Sequence, residues 1–353
     1  MRQQSTRRLA SWGAVVALSI GGATASGLAA ADGIARTPQS GDEDCVDGPL
    51  TVGFVPKLDT DPYFSTAQLG AEEAAEELGG EALRQAPSVT TADAQIEIIN
   101  TLVTQQVDVI AVAGNDANAL APSLQRARDQ GVRAISYDSD VAPEARTLFV
   151  NQVDSDTVAA QMLDSMYDLI GGDGQFGILS STPTATNQNA WIASIQEALE
   201  SDDRYADMEL IDEIFYGEEQ EDVSQTQALA MTQAYPDIEG IIIPAGISLP
   251  AAARALDDAG LLGQVTLTGL APASLISEYI EGGSVQDIWW NVRDLGYLTF
   301  YAANALATCA ITGEEGDTFE AGRLGEFTVG ADGEIILGPA TIVTPENVDE
   351  FEF

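Results

Sequence analysis

A few side chains that can hydrogen-bond a small hydroxyl-bearing molecule stand in the segments that follow short apolar runs. They are Lys57, Asp138 and the pair Asn187 and Gln188, and they offer an ammonium, a carboxylate and two amides. These groups pair with the donors and acceptors of hydroxyl-rich ligands. Lys57 is the only lysine in the chain, and if it is buried it needs a carboxylate partner, for which Asp138 is the candidate. A solvated lysine and an aspartate that caps a turn are the alternative interpretations.

The other candidate contacts are mostly aromatic residues and loop residues. A flat ring can pack against the C–H face of a sugar, although an aromatic residue at a helix start is as typical of a hydrophobic core. Asn187 and Gln188 are equally compatible with a cap on the helix that follows them. The remaining candidates for ligand binding are Tyr63, Phe64, Trp191, Pro244, Gly246, Trp290 and Asn291.

The residue types that most catalysis requires are scarce. The chain has no histidine, which removes the commonest general base and the commonest neutral metal ligand. Ser180 and Ser181 follow an apolar run, but no Gly-x-Ser-x-Gly motif surrounds them. Carboxylate pairs such as Asp138 and Asp140 are weak support for glycoside hydrolysis in so acidic a chain. The sequence therefore predicts a binding protein that is not an enzyme, with no cofactor and no metal site.

The elements that must position these side chains alternate along the chain. From Leu50 onward, short apolar runs are followed by segments with helical spacing, and the series restarts after residue 150. Strands that alternate with helices predict parallel sheets covered on both faces. We therefore expect an α/β fold of two doubly wound parallel-sheet lobes joined by a hinge. In such sheets a ligand lies beyond the carboxyl ends of the strands, where the candidate residues stand.

Composition limits the partners and the location. The formal net charge of −42 disfavours binding to nucleic acid and to anionic membrane surfaces. Arg2, Arg7 and Arg8 precede an apolar run that is too short to span a membrane and is followed by small residues. This pattern predicts an export signal over residues 1–31, followed by a linker over residues 32–48. An uncleaved anchor is the alternative.

The chain has two cysteines, Cys45 and Cys309. In an oxidising compartment they can pair and tie the mature N-terminus to a late helix. A free thiol and a lipid attachment at Cys45 are the alternatives that the sequence leaves open.

Several local motifs make the chain resemble the type I periplasmic sugar-binding proteins of ABC importers, in the rhamnose-binding and autoinducer-2-binding branch. The resemblance covers nearly the whole chain from about Leu50. It is carried by Phe54-Val55-Pro56-Lys57, Tyr137-Asp138-Ser139-Asp140, the stretch from Ser181 to Trp191, and Pro244 followed by Leu249-Pro250-Ala251-Ala252-Ala253.

The resemblance implies the ligand set and the ligand class. The autoinducer-2 pattern falls on Lys57, Asp138, Asn187 with Gln188, Pro244 and Gly246, but asparagine replaces an aspartate at 187 and glycine replaces an alanine at 246. These departures put autoinducer-2 in doubt. Four stretches look more like the rhamnose-binding members: Thr182 to Trp191, Asp294 to Tyr297, Phe319 to Arg323 and Gly330 to Glu334. The resemblance therefore favours L-rhamnose over autoinducer-2, with another pentose or deoxyhexose as a further alternative.

The resemblance also implies the domain organisation and the partners. It places residues 49–151 and 272–312 in an N-terminal lobe and residues 152–271 and 313–353 in a C-terminal lobe. The implied protein is an exported monomer of the periplasm or the outer face of the cell membrane. It closes on its sugar by a hinge motion and then docks on an ABC permease. A role in chemotaxis or quorum sensing is the alternative to uptake.

Overall fold

A computed structural model describes residues 45–351, so the predicted export signal and most of the linker lie outside the described residues. Strands and helices alternate as the sequence predicts. The strands are β1 Thr51–Val55, β2 Glu81–Arg84, β3 Val109–Val112, β4 Arg133–Tyr137, β5 Leu148–Asn151, β6 Gly174–Ser180, β7 Met208–Tyr216, β8 Ile238–Ile243, β9 Thr266–Gly269, β10 Val285–Trp289, β11 Thr318–Glu320, β12 Glu326–Thr328, β13 Glu334–Ile336 and β14 Thr341–Val343. The helices are α1 Pro62–Leu78, α2 Ala92–Gln105, α3 Ala117–Asp129, α4 Ser155–Ile170, α5 Thr186–Ser201, α6 Glu221–Ala234, α7 Ser248–Asp258, α8 Ala273–Glu281 and α9 Val292–Ala307.

Two six-stranded sheets form the two lobes. The first has the strand order β13-β5-β4-β3-β1-β2 and is parallel throughout. The second has the order β14-β10-β9-β8-β6-β7 and is parallel except for the edge strand β14. The predicted fold class, two doubly wound α/β lobes, is therefore confirmed.

Each sheet of this kind is buried on both faces, and strand β3 shows how. Successive side chains of a strand point to opposite faces. Val109 and Ala111 accordingly pack in one hydrophobic core, while Ile110 and Val112 pack in another. All four are fully buried, which explains why the strand appears in the sequence as an unbroken apolar run.

The chain crosses between the sheets at points that differ from the predicted boundaries. Residues 272–312 were expected in the first lobe, but β10 pairs with β9 and so belongs to the second sheet. Residues 313–353 were expected in the second lobe, but β13 pairs with β5 in the first sheet. The short strands β13 and β14 carry no periodicity long enough to assign them from sequence. The crossings therefore follow β5, β10 and β13.

Helices α1 and α9 pack unusually closely, and both begin beside the cleft. A side-chain carbon added at Gly70 would lie 1.7 Å from the carbonyl oxygen of Arg293, and one added at Gly296 would lie 1.7 Å from that of Ala67. Only glycine allows the two backbones to approach in this way. The contact fixes the start of α1, with Tyr63 and Phe64, against the start of α9.

Cys45 and Cys309 form a disulfide, which decides among the alternatives left by the sequence. The backbone N–H of Val46 also donates to the carbonyl oxygen of Ala307, at 2.8 Å. The first described residues are thereby held against the end of α9. No helix in residues 45–351 combines the length and apolarity needed to cross a membrane.

The excess of acid predicts that added salt stabilises the fold. The chain has 56 Asp and Glu against 14 Lys and Arg, so charges of the same sign repel one another in the compact state. Raising NaCl from 10 to 300 mM shortens the Debye length from about 30 Å to below 10 Å. We expect the melting temperature to rise by at least about 3 °C over this range, measured by scanning calorimetry. A rise that begins only above 1 M salt would contradict charge screening as its cause.

Candidate functional site

The carboxyl ends of both sheets border one cavity, which contains about 680 Å³ of empty space, part of it open to solvent. Ten of the eleven predicted contact residues line it: Lys57, Tyr63, Phe64, Asp138, Asn187, Gln188, Trp191, Pro244, Gly246 and Trp290. The sequence therefore located the side of the fold where polar and aromatic groups converge.

Lys57, directly after β1, joins the two sides of this cavity. Its ammonium donates to Oδ1 of Asn187 at 3.0 Å and lies 3.6 Å from Oδ2 of Asp138. Lys57 is 6% exposed and Asp138 is 4% exposed, so this is a buried ion pair. The predicted pairing of Lys57 with Asp138 is confirmed, and the surface-lysine alternative is excluded. Asn187 belongs to the second lobe, so the ammonium also bridges the cleft.

Asp138 is held in a backbone conformation that few residues adopt. It follows β4 with a φ of 59°, in the left-handed region that aspartate tolerates better than most residues. Its N–H donates to the carbonyl oxygen of Val150 at 3.1 Å, which fixes the bend. Burial raises the pKa of Asp138, while the Lys57 ammonium and a hydrogen bond from Tyr63 act in the opposite direction.

Asn187 and Gln188 have different surroundings at the start of α5. Oδ1 of Asn187 accepts from Lys57 and, at 2.9 Å, from the N–H of Gln188. Oε1 of Gln188 accepts from the Ser180 hydroxyl at 2.6 Å and from the Ser181 N–H at 2.8 Å. Neither residue is the N-cap of α5, because that position is Ala185. Gln188 ties α5 to the end of β6, and Asn187 faces the other lobe.

A second hydrogen bond crosses between the lobes near Lys57. The Thr184 hydroxyl donates to the carbonyl oxygen of Asn115 at 2.9 Å. Asn115 in turn donates from Nδ2 to the carbonyl oxygen of Lys57 at 3.0 Å. The loops after β1, β3 and β6 are therefore linked by polar contacts on both sides of the cavity.

Four of the aromatic rings in the lining meet edge to face. Tyr63 lies 5.1 Å from Phe64 and 6.4 Å from Trp290, and Trp191 lies 6.3 Å from Trp290, between ring centroids. Nε1 of Trp290 donates to the Tyr63 hydroxyl at 3.1 Å. Phe64, Trp191 and Trp290 are nearly buried and belong to the core, yet each also borders the cavity. These three rings therefore pack in the hydrophobic core and can also contact a ligand.

Asn291 is the one predicted contact that the structure does not bring to the cavity lining. Its Oδ1 accepts from the N–H of Asp294 at 3.1 Å and caps helix α9. An asparagine one residue before a helix is a strong capping signal, so local chemistry explains this side chain. The ligand-contact prediction for Asn291 is not supported by its position.

Two acidic residues in the lining were missed by the sequence reasoning. Asp61 precedes α1 and is 8% exposed, and Glu219 lies between β7 and α6 and is 9% exposed. Burial raises the pKa of Asp61 to about 7, and the nearby charge of Glu219 adds to this rise. Burial also raises the pKa of Glu219, while the Lys57 ammonium lowers it. In a chain with 56 acidic residues, nothing in the sequence distinguished these two.

A third buried carboxyl supports the cavity from behind. Asp287 on β10 is fully buried, and its Oδ1 accepts from the N–H of Ala271 at 2.9 Å. Ala271 lines the cavity, so this bond holds the loop after β9 in place. Within the described residues, Oδ2 of Asp287 has no hydrogen-bond partner. Burial raises the pKa of Asp287 to about 8, so the carboxyl is largely protonated at neutral pH.

Comparison with known proteins agrees with this geometry. The family model described as "Periplasmic binding protein domain" matches residues 52–313. An ABC transporter solute binding protein from Clostridium phytofermentas, with bound L-rhamnose, is 35% identical with a TM-score of 0.83, and the match covers 87% of this chain and 99% of that one. LsrB from Clostridium saccharobutylicum, in complex with AI-2, is 24% identical with a TM-score of 0.81 and shares the fold, over 86% of this chain and all of that one.

A curated relative is more distant and binds different sugars. The D-ribose/D-allose-binding protein of Pseudomonas aeruginosa is 25% identical over 202 residues, which are 56% of this chain and 61% of that protein. The match therefore spans less than two thirds of this relative's length. The relatives are described as binding proteins, in agreement with the prediction that the chain is not an enzyme.

The raised pKa of Asp287 predicts a stability effect that depends on pH. An unfolded aspartate has a pKa near 3.9, so the folded protein binds the extra proton and loses stability as pH rises from about 4 to about 8. The amide that an Asp287→Asn substitution introduces does not titrate. We expect the melting temperature of the variant, relative to wild type, to increase by about 3 °C or more between pH 5 and pH 8.5.

Asp317→Asn is the matched control for this comparison. Hydrogen bonds from Thr312 and from the following N–H groups lower the pKa of the partly exposed Asp317 carboxyl. Its contribution to stability therefore changes only below about pH 4. Between pH 5 and pH 8.5 the melting temperature of this variant should stay at a constant offset from wild type. A constant offset for Asp287→Asn as well would show that Asp287 is ionised in the folded protein.

Proposed function

Because this chain belongs to the periplasmic binding protein family, as a solute-binding protein of the sugar ABC transporter type, we propose that it binds a neutral deoxyhexose, L-rhamnose, in the cavity between its lobes. The observation that carries the proposal is the buried Lys57 ammonium, which contacts Asp138 on its own side and Asn187 on the other. A sugar hydroxyl donates and accepts hydrogen bonds, so it can be bound by all three groups.

The aromatic part of the lining supports a deoxy sugar. L-Rhamnose carries a methyl group where a hexose has a hydroxymethyl group, and this methyl needs an apolar contact. Phe64, Trp191, Ile288 and Trp290 supply apolar surface on the wall of the cavity. A lining that combines polar groups with aromatic rings matches a ligand that carries both hydroxyls and a methyl group. The similarity to the rhamnose-bound protein is a second, independent support.

We further propose that the ligand is captured by closure of the cleft. Lys57 and Asp138 follow strands of the first sheet, whereas Asn187 and Pro244 follow strands of the second. Each lobe alone presents only half of the polar set. A ligand favours the closed arrangement by the contacts that it makes only there, and closure excludes water that would compete for these hydrogen bonds.

The cellular context belongs to the same proposal. A solute-binding protein of this type delivers its sugar to an ABC permease, from the periplasm or the outer face of the membrane, and we expect it to act as a monomer. The Cys45–Cys309 disulfide is consistent with an oxidising compartment of this kind.

Isothermal titration with L-rhamnose tests the ligand. We expect a saturable one-site signal, and heat with autoinducer-2 or D-ribose but none with L-rhamnose would contradict the assignment.

A Lys57→Met variant should bind L-rhamnose at least about 30-fold more weakly, because it leaves the buried Asp138 carboxylate without its cation.

Arg254→Met is the control for loss of a positive charge. Arg254 is about half exposed and pairs with the exposed Glu221 at 3.5 Å. Exposed pairs of this kind contribute little, so the affinity for L-rhamnose should change less than about twofold. Equal affinity in Lys57→Met and Arg254→Met would exclude Lys57 from the binding site.

A further inference from the structure

We propose that Asp61 and Glu219 form a second clamp across the cleft, which binds two neighbouring hydroxyl groups of the sugar and determines which sugar is accepted. This inference rests on the proposed function and adds to it a pair of specificity-determining residues. Asp61 lies on the first lobe, at the start of α1, and Glu219 lies on the second lobe, between β7 and α6. Both line the same cavity as Lys57.

The local backbone holds each carboxyl group in place, Asp61 on the first lobe and Glu219 on the second. Oδ1 of Asp61 accepts from the N–H of Tyr63 at 2.9 Å and thereby caps helix α1. Glu219 follows Glu218 in a turn where both residues have positive φ, 54° and 52° in chain order. Glutamate rarely adopts this conformation, and strained backbone of this kind is concentrated at functional sites. The turn holds the Glu219 side chain in the cavity while Glu218 remains exposed.

The charges around the cavity leave these two carboxyl groups without a cation of their own. Among the described residues, the cavity lining contains three carboxyl groups but a single cationic side chain, Lys57. That ammonium makes its direct contacts with Asn187 and Asp138. Arg146 follows Asp138 in the sequence, but its guanidinium forms an ion pair with Asp140 at 2.6 Å.

A buried carboxylate without a cation needs another source of stabilisation. An ionised group removed from water is costly unless it is paired or hydrogen-bonded. Hydroxyl donors supplied by a ligand would provide that stabilisation. Each carboxylate oxygen accepts hydrogen bonds from such hydroxyl groups. Adjacent sugar hydroxyls, each of which donates and accepts, are complementary to that arrangement.

Burial and the surrounding charges shift the pKa values of both carboxyl groups. Lys57, Asp138, Tyr63 and Glu219 face Asp61, and burial together with the Glu219 and Asp138 charges raises its pKa against the effects of Lys57 and the Tyr63 N–H. Around Glu219, Lys57 and the Ser181 hydroxyl lower the pKa, while burial and Asp138 raise it.

The test compares Asp61→Asn, Glu219→Gln and the matched control Glu218→Gln by titration with L-rhamnose and its 2-deoxy, 3-deoxy and 4-deoxy analogues. We expect the first two variants to bind L-rhamnose about tenfold more weakly or worse, since hydrogen bonds to charged groups are among the strongest. Wild type should discriminate against at least one deoxy analogue, and that discrimination should shrink in both variants. Glu218→Gln should behave as wild type.

The pH dependence provides a readout that a purely structural role would not change. Wild-type affinity should change between pH 6.5 and pH 8.5, where the Asp61 carboxyl titrates, and the Asp61→Asn/Glu219→Gln double variant should lose this dependence. Melting temperatures at each pH verify that every variant is folded.

The outcomes separate this inference from the proposed function. If wild type binds L-rhamnose but both single variants keep its affinity and its ranking of the analogues, the clamp is refuted and the sugar site stands. If wild type binds neither L-rhamnose nor any analogue, the proposed function is refuted, and the clamp with it.

Discussion

The cleft of this protein is organised around one buried ammonium group. Lys57 is nearly inaccessible to water, and a cation in that position is stable only if carboxylate and carbonyl oxygens replace the lost hydration. Asp138 supplies a negative charge from the same sheet, and Asn187 supplies a carbonyl oxygen from the other. In the closed cleft, oxygens from the facing carboxyl ends of both sheets therefore satisfy the ammonium. The aromatic rings and the remaining polar groups of the lining surround this contact.

The scaffold holds the ammonium through amides at neighbouring strand ends. Gln95 donates from Nε2 to the carbonyl oxygens of Pro56 and Ala113, at 3.0 and 2.7 Å, and accepts from the N–H of Asn115. Asn115 then binds the carbonyl oxygen of Lys57. These buried bonds join the loops after β1 and β3, which keeps the polar side chains in place before a ligand arrives. Preorganisation of this kind reduces the entropy that binding must overcome.

The sequence predicted the parts of this arrangement that follow from periodicity and strand direction. Alternating strands and helices determine parallel sheets, and parallel sheets collect their carboxyl ends at one edge, so Lys57, Asp138 and Asn187 could be placed together. The sequence could not predict the roles of residues that depend on their surroundings in the folded protein. Asn291 caps a helix, and only the local geometry separates that role from ligand contact. Asp61 and Glu219 are two acids among many, and their burial is a property of the folded cleft. The sheet membership of β10 and β13 depends on long-range pairing.

Small-angle X-ray scattering tests most directly whether a sugar holds the two lobes closed around Lys57. Scattering curves of the protein would be recorded with and without saturating L-rhamnose, in the same buffer at 150 mM NaCl. We expect a smaller radius of gyration with the sugar, because the lobes open when the cross-cleft contacts are not supported by a ligand. An unchanged radius of gyration at a sugar concentration where calorimetry shows full occupancy would contradict capture by closure.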